Sequence, residues 1–175
     1  MQSEFKSVME FNMITQEILR EKYTYADGNL YFAKPGFGIV VGSKAGSTKS
    51  NGYVNIRVNQ KMMKLHRVIF LFHHGFMPEY IDHIDGNPSN NRIENLRAAN
   101  ASQNAWNAQL RKDSATKVKG VDFCKRTGKF RARVAVNKKT ISLGSFQNLQ
   151  DAEMAVKNAR QTYHKEFSCH DARSN

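Results

Sequence analysis

The sequence predicts an α+β chain of two small domains. Strand, strand and helix surround one polar site, and a three-stranded antiparallel sheet packed on one helix follows. Three observations predict it. Residues 80–84 and 95–99 read as two short apolar strands separated by a loop rich in Gly, Asn and Ser, and Asn100 with Gln103 then opens a helix. Three strand-like segments between residues 119 and 146 precede a helical stripe of Ala152, Ala155, Val156, Ala159 and Tyr163. Between the two patterns, residues 111–117 are charged and polar. The predicted organisation is a first domain over 14–110 with its core at about 80–110, a linker over 111–117, and a second domain over 118–168.

The 175 residues suffice for one ordinary domain or two small ones. A hydrophobic fraction of 40% supports cores, and no run is long and apolar enough to span a bilayer. The N-terminus lacks the charged start, apolar run and small-residue cleavage site of a secretion signal. The expectation is an intracellular chain, in the cytoplasm of a host cell, with no membrane partner and no obligate protein partner. Cys124 and Cys169 are too few for a disulfide framework or a four-Cys zinc site and read as free thiols.

The formal net charge is +12, which favours a polyanionic partner, most often nucleic acid. From Arg111 onward there are 15 Lys and Arg against 6 Asp and Glu, whereas the preceding residues carry 12 against 9. The basic charge therefore belongs to the second domain. The bland alternative is a solvated basic surface.

Local signals order the elements. Thr15 caps a short helix from Gln16. Residues 23–32 form a hairpin around Asp27-Gly28, residues 36–52 read as loop, and residues 53–58 alternate as a half-buried strand. From Lys64 the period becomes helical, with Leu65, Val68, Ile69 and Phe72 on one stripe, and Gly75 ends that helix. Asn100 starts a helix expected to reach about Leu110. In the second domain Phe130, Ala132, Val134 and Val136 face one way and Arg131 and Arg133 the other. Asn148 with Asp151 opens the last helix.

The chemistry concentrates in Asp82-His83-Ile84-Asp85-Gly86-Asn87. Hydrolysing a phosphodiester requires a deprotonated, aimed water and charge neutralisation at the phosphate and the leaving oxygen. A hard divalent cation supplies the neutralisation and takes oxygen ligands. Asp82 offers a carboxylate and Asn104 an amide oxygen. Neighbours on a flat strand point to opposite sides. A twisted strand end can therefore present Asp82 to an ion while His83 faces the water. An imidazole suits proton abstraction because it titrates near neutrality, and its other nitrogen needs a carbonyl to fix the ring. Taken alone, Asp-His is usually a polar surface pair. His66 fits a packed histidine of the core helix better than a phosphate contact, His73 and His74 belong to the helix end, and Asp85 shapes the loop.

These residues resemble the HNH endonuclease family, whose site is a ββα-metal motif. The resemblance rests on Leu65-His66-Arg67, residues 82–87, Asn90-Asn91-Arg92-Ile93-Glu94-Asn95-Leu96 and Ser102-Gln103-Asn104. It implies that Asp82 is a metal ligand, His83 the general base, Asn95 the central Asn bracing loop and base, and Asn104 the second metal ligand where the family often has His. That form is similar to phage intron-associated homing nucleases. It implies a divalent metal cofactor, Mg2+ or alternatively Mn2+, with Arg67 and Arg97 as candidate phosphate contacts.

Lys119-Gly120-Val121, Gly128-Lys129-Phe130-Arg131-Ala132, Leu143-Gly144-Ser145-Phe146 and the Ala-rich helix resemble the Apetala/ethylene-response-factor type of DNA-binding domain. The resemblance implies that the open sheet face, with Arg131, Arg133, Ala135, Thr140 and Ser142, enters the major groove of double-stranded DNA. Lys119, Lys125, Arg126, Lys129 and Lys139 are the remaining candidate DNA-binding residues, chiefly for phosphates. The chain departs from that family at Asp122, Arg133, Thr140 and Ser142, so no base preference carries over. The combined expectation is a site-directed DNA endonuclease. The alternatives are a non-enzymatic DNA-binding regulator and an RNA-directed nuclease.

Overall fold

In the computed structural model, which describes residues 13–107, 110, 114–137, 139–164 and 167, the chain begins as its capping residues dictate. The Thr15 hydroxyl accepts from the Ile18 N–H and opens helix α1, Gln16–Lys22. Strands β1, Tyr23–Ala26, and β2, Asn29–Phe32, pair antiparallel across the two-residue turn Asp27-Gly28. Both turn residues have positive φ (47° and 75°), as a tight hairpin with matching twist needs. A short strand β3, Ser47–Thr48, then β4, Val54–Val58, and β5, Lys61–Lys64, form a second antiparallel sheet.

Helix α2, Leu65–His74, buries Leu65, Val68, Ile69, Phe70 and Leu71, and the Gly75 N–H closes it on the Leu71 carbonyl. His73 and His74 sit in its last turn, as expected. Strand β6, Tyr80–His83, pairs with β7, Leu96–Ala99, after a 3-10 turn over Ile93–Asn95. Ile81 and Leu96 join the core built by α1, α2, β2 and β4.

Helix α3, Ala101–Asn107, starts with the expected reciprocal pair. The Asn100 N–H donates to Gln103 Oε1 (2.8 Å) and the Gln103 N–H to Asn100 Oδ1 (2.9 Å). Strands β8, Val121–Cys124, β9, Lys129–Val136, and β10, Lys139–Phe146, make a sheet of order β10-β9-β8. Helix α4, Leu149–Tyr163, is capped by Asn148 and packs its small residues on that sheet: Ala152 and Val156 meet Val121 and Ala132. The architecture is α+β, with helices and several small antiparallel sheets. Among the described residues no helix is long and apolar enough to cross a membrane.

Three details differ from the sequence reading. Strand β5 lies where the reading had only the approach to the helix. Lys61, Met62 and Lys64 are exposed, so it carries no alternation to reveal it. β3 interrupts the 36–52 loop. Arg160 is buried on α4, whereas Tyr163 in the last turn is 45% exposed. The chain divides into compact units at Met1–Ala98 and Ala99–Asn175. The Trp106 indole stacks on His164 (4.3 Å, 7°), and Lys119 Nζ donates to the Trp106 carbonyl (2.7 Å), so α3 is tied into the second unit. Residues 108–109 of the helix expected to reach about Leu110, residues 111–113 of the linker, the turn at Lys138 and the tail with Cys169 lie outside the described residues.

A Cβ on Gly28 would lie 2.7 Å from the Arg92 nitrogen and 2.8 Å from the Asn91 carbonyl carbon, both backbone atoms. Gly42 has a similar φ (79°) and open space around it. Gly42→Ala is therefore expected to lose roughly 1–2 kcal/mol for the left-handed conformation alone. Gly28→Ala is expected to lose clearly more. Chemical denaturation of both variants checks this, and equal losses would remove the contact between hairpin and loop from the account.

Candidate active site

Strand β6 ends where the site begins. The Gly86 N–H donates to the His83 carbonyl (2.7 Å), so the chain turns immediately after His83. Asp82 and His83 face different surroundings, as strand alternation requires, yet both are buried, at 5% and 6% exposure. Asp82 Oδ2 accepts from Arg97 Nε (2.9 Å) and Nη2 (2.8 Å). His83 lies edge-on to His66 (ring centroids 4.9 Å apart, 79°) and to Tyr53 (6.1 Å, 64°). Lys64 Nζ sits 4.2 Å from the Tyr53 ring centre. His66 is thus a packed histidine of α2 that walls the His83 ring.

The loop from Asp85 to Asn95 is held by its own amides. Asn95 Nδ2 donates to Asp85 Oδ1 (2.9 Å) and to the Asn90 carbonyl (2.8 Å), while Asn95 Oδ1 accepts from the Asp85 N–H (3.0 Å). Asp85 also accepts from the Asn87 N–H (2.8 Å) and from Asn90 Nδ2 (2.7 Å). Asp85 therefore shapes the loop, as the sequence reading had it. Burial raises its pKa, but the three donors from Asn87, Asn90 and Asn95 outweigh that, and its carboxyl titrates below the usual carboxylate value. The amide against the His83 ring belongs to Asn91, not Asn95: His83 Nε2 and Asn91 Oδ1 are 3.1 Å apart. Asn91 is buried. Sequence reasoning quoted Asn91 without giving it a role, and gave none to Tyr53. The doubled Asn90-Asn91 marked a loop, but nothing in the sequence said which amide meets the imidazole.

Asn104 stands in the first turn of α3, half-buried, its N–H donating to the Asn100 carbonyl (3.0 Å), within the second unit. Asp82 carries carboxylate oxygens, hard donors of the kind a divalent cation takes. Among the described residues no three His, Cys, Asp or Glu side chains gather into a metal-binding group.

The candidate DNA contacts divide. Three are engaged within the protein. Arg67 donates to the Pro78 and Glu79 carbonyls (3.2 Å each), Arg97 is paired with Asp82, and Lys119 reaches Trp106. Arg131, Arg133, Ala135, Thr140 and Ser142 are exposed on the sheet face away from the buried Ala132 and Val134, with Ser142 opposite Arg133 and Thr140 opposite Ala135. Arg133 pairs with Asp122 on that face. Lys125, Arg126 and Lys139 are exposed at turns, and Lys129 is half-buried.

Burial pushes the His83 imidazole below its ordinary value, against the opposing Asn91 contact and the Asp85 and Asp82 charges, so it is neutral at pH 7. Burial, with the neighbouring His83, Lys64 and Arg67 charges, lowers His66 from 6.5 to about 3. A histidine that stays neutral when folded opposes unfolding only above its unfolded pKa. Between pH 6.5 and about 3 the unfolded chain takes up a proton that the folded chain refuses. His66 alone is expected to remove up to about 1.4 kcal/mol of stability per pH unit across that window. Denaturation of the wild type and His66→Phe from pH 7.5 to 4.5 checks it. The variant should show the shallower slope, and identical slopes would contradict the assignment.

The chain is similar to known proteins over this region. An HNH endonuclease family model matches residues 63–106, which include Asp82, His83, Asn95 and Asn104. Over 89 residues the chain is 33% identical to Protein 3.8 of Escherichia phage T7, covering 51% of this chain and 73% of that protein. No solved structure matches the chain.

Proposed function

Because the chain belongs to the HNH endonuclease family, with Protein 3.8 of phage T7 as a relative, we propose that it is a metal-dependent, site-directed DNA endonuclease of the homing type. The observation that carries the reading is the strand end at Asp82-His83. There a carboxylate and a neutral, buried imidazole occupy adjacent positions of β6, beside a loop fixed by its own amides.

His83 takes a proton from water, the water oxygen forms a bond to phosphorus, and the P–O bond to the leaving sugar oxygen breaks. The leaving oxygen recovers a proton from solvent. Asp82 and Asn104 would each offer an oxygen to a divalent cation. When bound, such an ion supplies charge neutralisation at the phosphate and the leaving oxygen. Asn95 keeps the loop in place. Walls of His66 and Tyr53 fix the plane of the base.

The second unit is the DNA reader in this proposal. A site that grips backbone cannot choose a sequence, and a tethered sheet supplies address and residence time. Arg131 and Arg133 face base edges, and Lys125, Arg126, Lys129 and Lys139 hold phosphates. The unit stays in the cell that contains its target, and the partner is duplex DNA.

Supercoiled plasmid carrying candidate targets should be relaxed or linearised with magnesium and left intact with EDTA. His83→Ala should lower the rate by roughly 10²–10⁴-fold, the contribution of a positioned general base, while retaining plasmid binding. Retardation without cutting across several metals and targets would sink the nuclease reading in favour of a regulator, and preferential cutting of RNA would move the substrate.

For the reader, Arg131→Ala should weaken cognate binding by about 1–3 kcal/mol and relax one position of the site. Lys125→Ala should weaken all sequences alike and lower the salt slope by about 1. Equal effects of both on every sequence would reduce the sheet to a phosphate grip.

A further inference from the structure

The near balance of charge before Arg111 hides a one-sided stretch. From Gly28 to Pro78 the chain has seven Lys and Arg and no Asp or Glu. That stretch contains β4 and β5, whose pairing sets Asn55 opposite Lys64 and Arg57 opposite Met62. Val54, Ile56 and Val58 of β4 enter the core, so alternation turns Asn55 and Arg57 to the other face. Arg57, Met62 and Lys64 are exposed there.

Lys64 stands where this face meets the histidines. Its Nζ lies 4.2 Å from the centre of the Tyr53 ring. The same ring is 6.1 Å from that of His83 and 5.6 Å from that of His66. Tyr53 is itself anchored, for its carbonyl accepts from the Lys49 N–H (2.8 Å) and its N–H donates to Asn51 Oδ1 (3.2 Å). Burial is the main reason that both imidazoles titrate low, and the Lys64 charge lowers both further.

We propose that Lys64, carried on the Tyr53 ring, is a phosphate-binding residue of this site: its ammonium holds the backbone of duplex DNA beside His83.

The neighbouring cations are committed elsewhere. Arg97 donates to Asp82, and Arg67 to the Pro78 and Glu79 carbonyls. Lys64 instead meets an aromatic ring, which attracts an ammonium without cancelling its charge. The ring covers one side of the ammonium and leaves N–H donors on the other for an anion. Helix α2 gains nothing from this side chain. Lys64 is its N-cap yet makes no side-chain cap, and a cation at that end opposes the helix dipole. Arg57, farther along β4 from Tyr53, extends the basic surface away from the site.

The role beside His83 rests on the nuclease reading, whereas the contact with DNA can be tested without cutting. The first experiment is lysine acetylation of the full-length protein, read by mass spectrometry, with and without a short duplex in EDTA. Lys64 is expected to be protected several-fold by the duplex. Lys34, exposed and paired with Glu21, serves as the reference and should react alike in both samples. The second is binding of the same duplex, fluorescently labelled, over a range of NaCl. Lys64→Gln should lower the salt slope by about 1, as loss of one phosphate contact does. Lys64→Arg should keep it, and Lys34→Gln should not change it. In plasmid kinetics with magnesium, Lys64→Gln should raise KM and leave kcat nearly unchanged, the mark of lost uniform binding.

Unprotected Lys64, equal protection of Lys34, or an unchanged slope in Lys64→Gln would overturn the proposal. So would a fall in kcat at unchanged KM, which would reduce Lys64 to packing against Tyr53. Protection by an RNA duplex but not by DNA would overturn the assignment to DNA. Protection and the slope change without cutting of any nucleic acid would uphold the contact and refute the nuclease alone.

Discussion

One side-chain amide, that of Asn95, closes the loop on which the site depends. Its two donors go to Asp85 Oδ1 and the Asn90 carbonyl, and its oxygen takes the Asp85 N–H. Each such bond contributes on the order of 1 kcal/mol net, and its partners are half-buried, so losing the amide leaves polar groups only partly served by water. A loop of Asp, Gly, Asn, Pro and Ser has little apolar surface to bury. It can hold one shape only by satisfying its polar groups internally, and Asn95 links its two ends. With the ends joined, β6 and β7 pair, and Asp82, His83 and Arg97 take fixed positions.

The rest of the first unit reinforces that loop from outside. The hairpin of β1 and β2 contributes little catalytic chemistry of its own. Its Gly28 turn nevertheless rests on the Asn91–Arg92 backbone, and its Tyr25 hydroxyl caps the Ile93 N–H. Helix α2 places His66 against His83 while its apolar stripe enters the core. Site geometry and core packing are thus parts of one arrangement. The imidazole remains neutral because the wall that orients it also excludes water.

Much of the local structure was legible because its code is local. Thr15, Asp27-Gly28, Gly75, Asn100 with Gln103, and Asn148 with Asp151 each start or end an element through neighbours within a few residues, and the structure has all five. Strand alternation likewise placed Ala132 and Val134 inside and Arg131 and Arg133 outside. Strand β5 escaped because its exposed Lys and Met residues show no period. The stacking of Trp106 on His164, 58 residues away, likewise has no local signal.

The sequence alone determined the α+β class, most of the elements in their order and the segment that carries Asp82, His83, Asn95 and Asn104, because residue type and spacing encode these directly. Only the tertiary structure decided how the polar groups pair. Arg97, a candidate phosphate contact in sequence, lies in a half-buried ion pair with Asp82, and Arg67 and Lys119 hold backbone carbonyls. Asn91 rather than Asn95 meets His83. Asn90, Asn91 and Asn95 are chemically identical, so their different partners follow from the path of the backbone. That path is set by distant contacts, at Gly28, Tyr25 and Gly52, that no local pattern records.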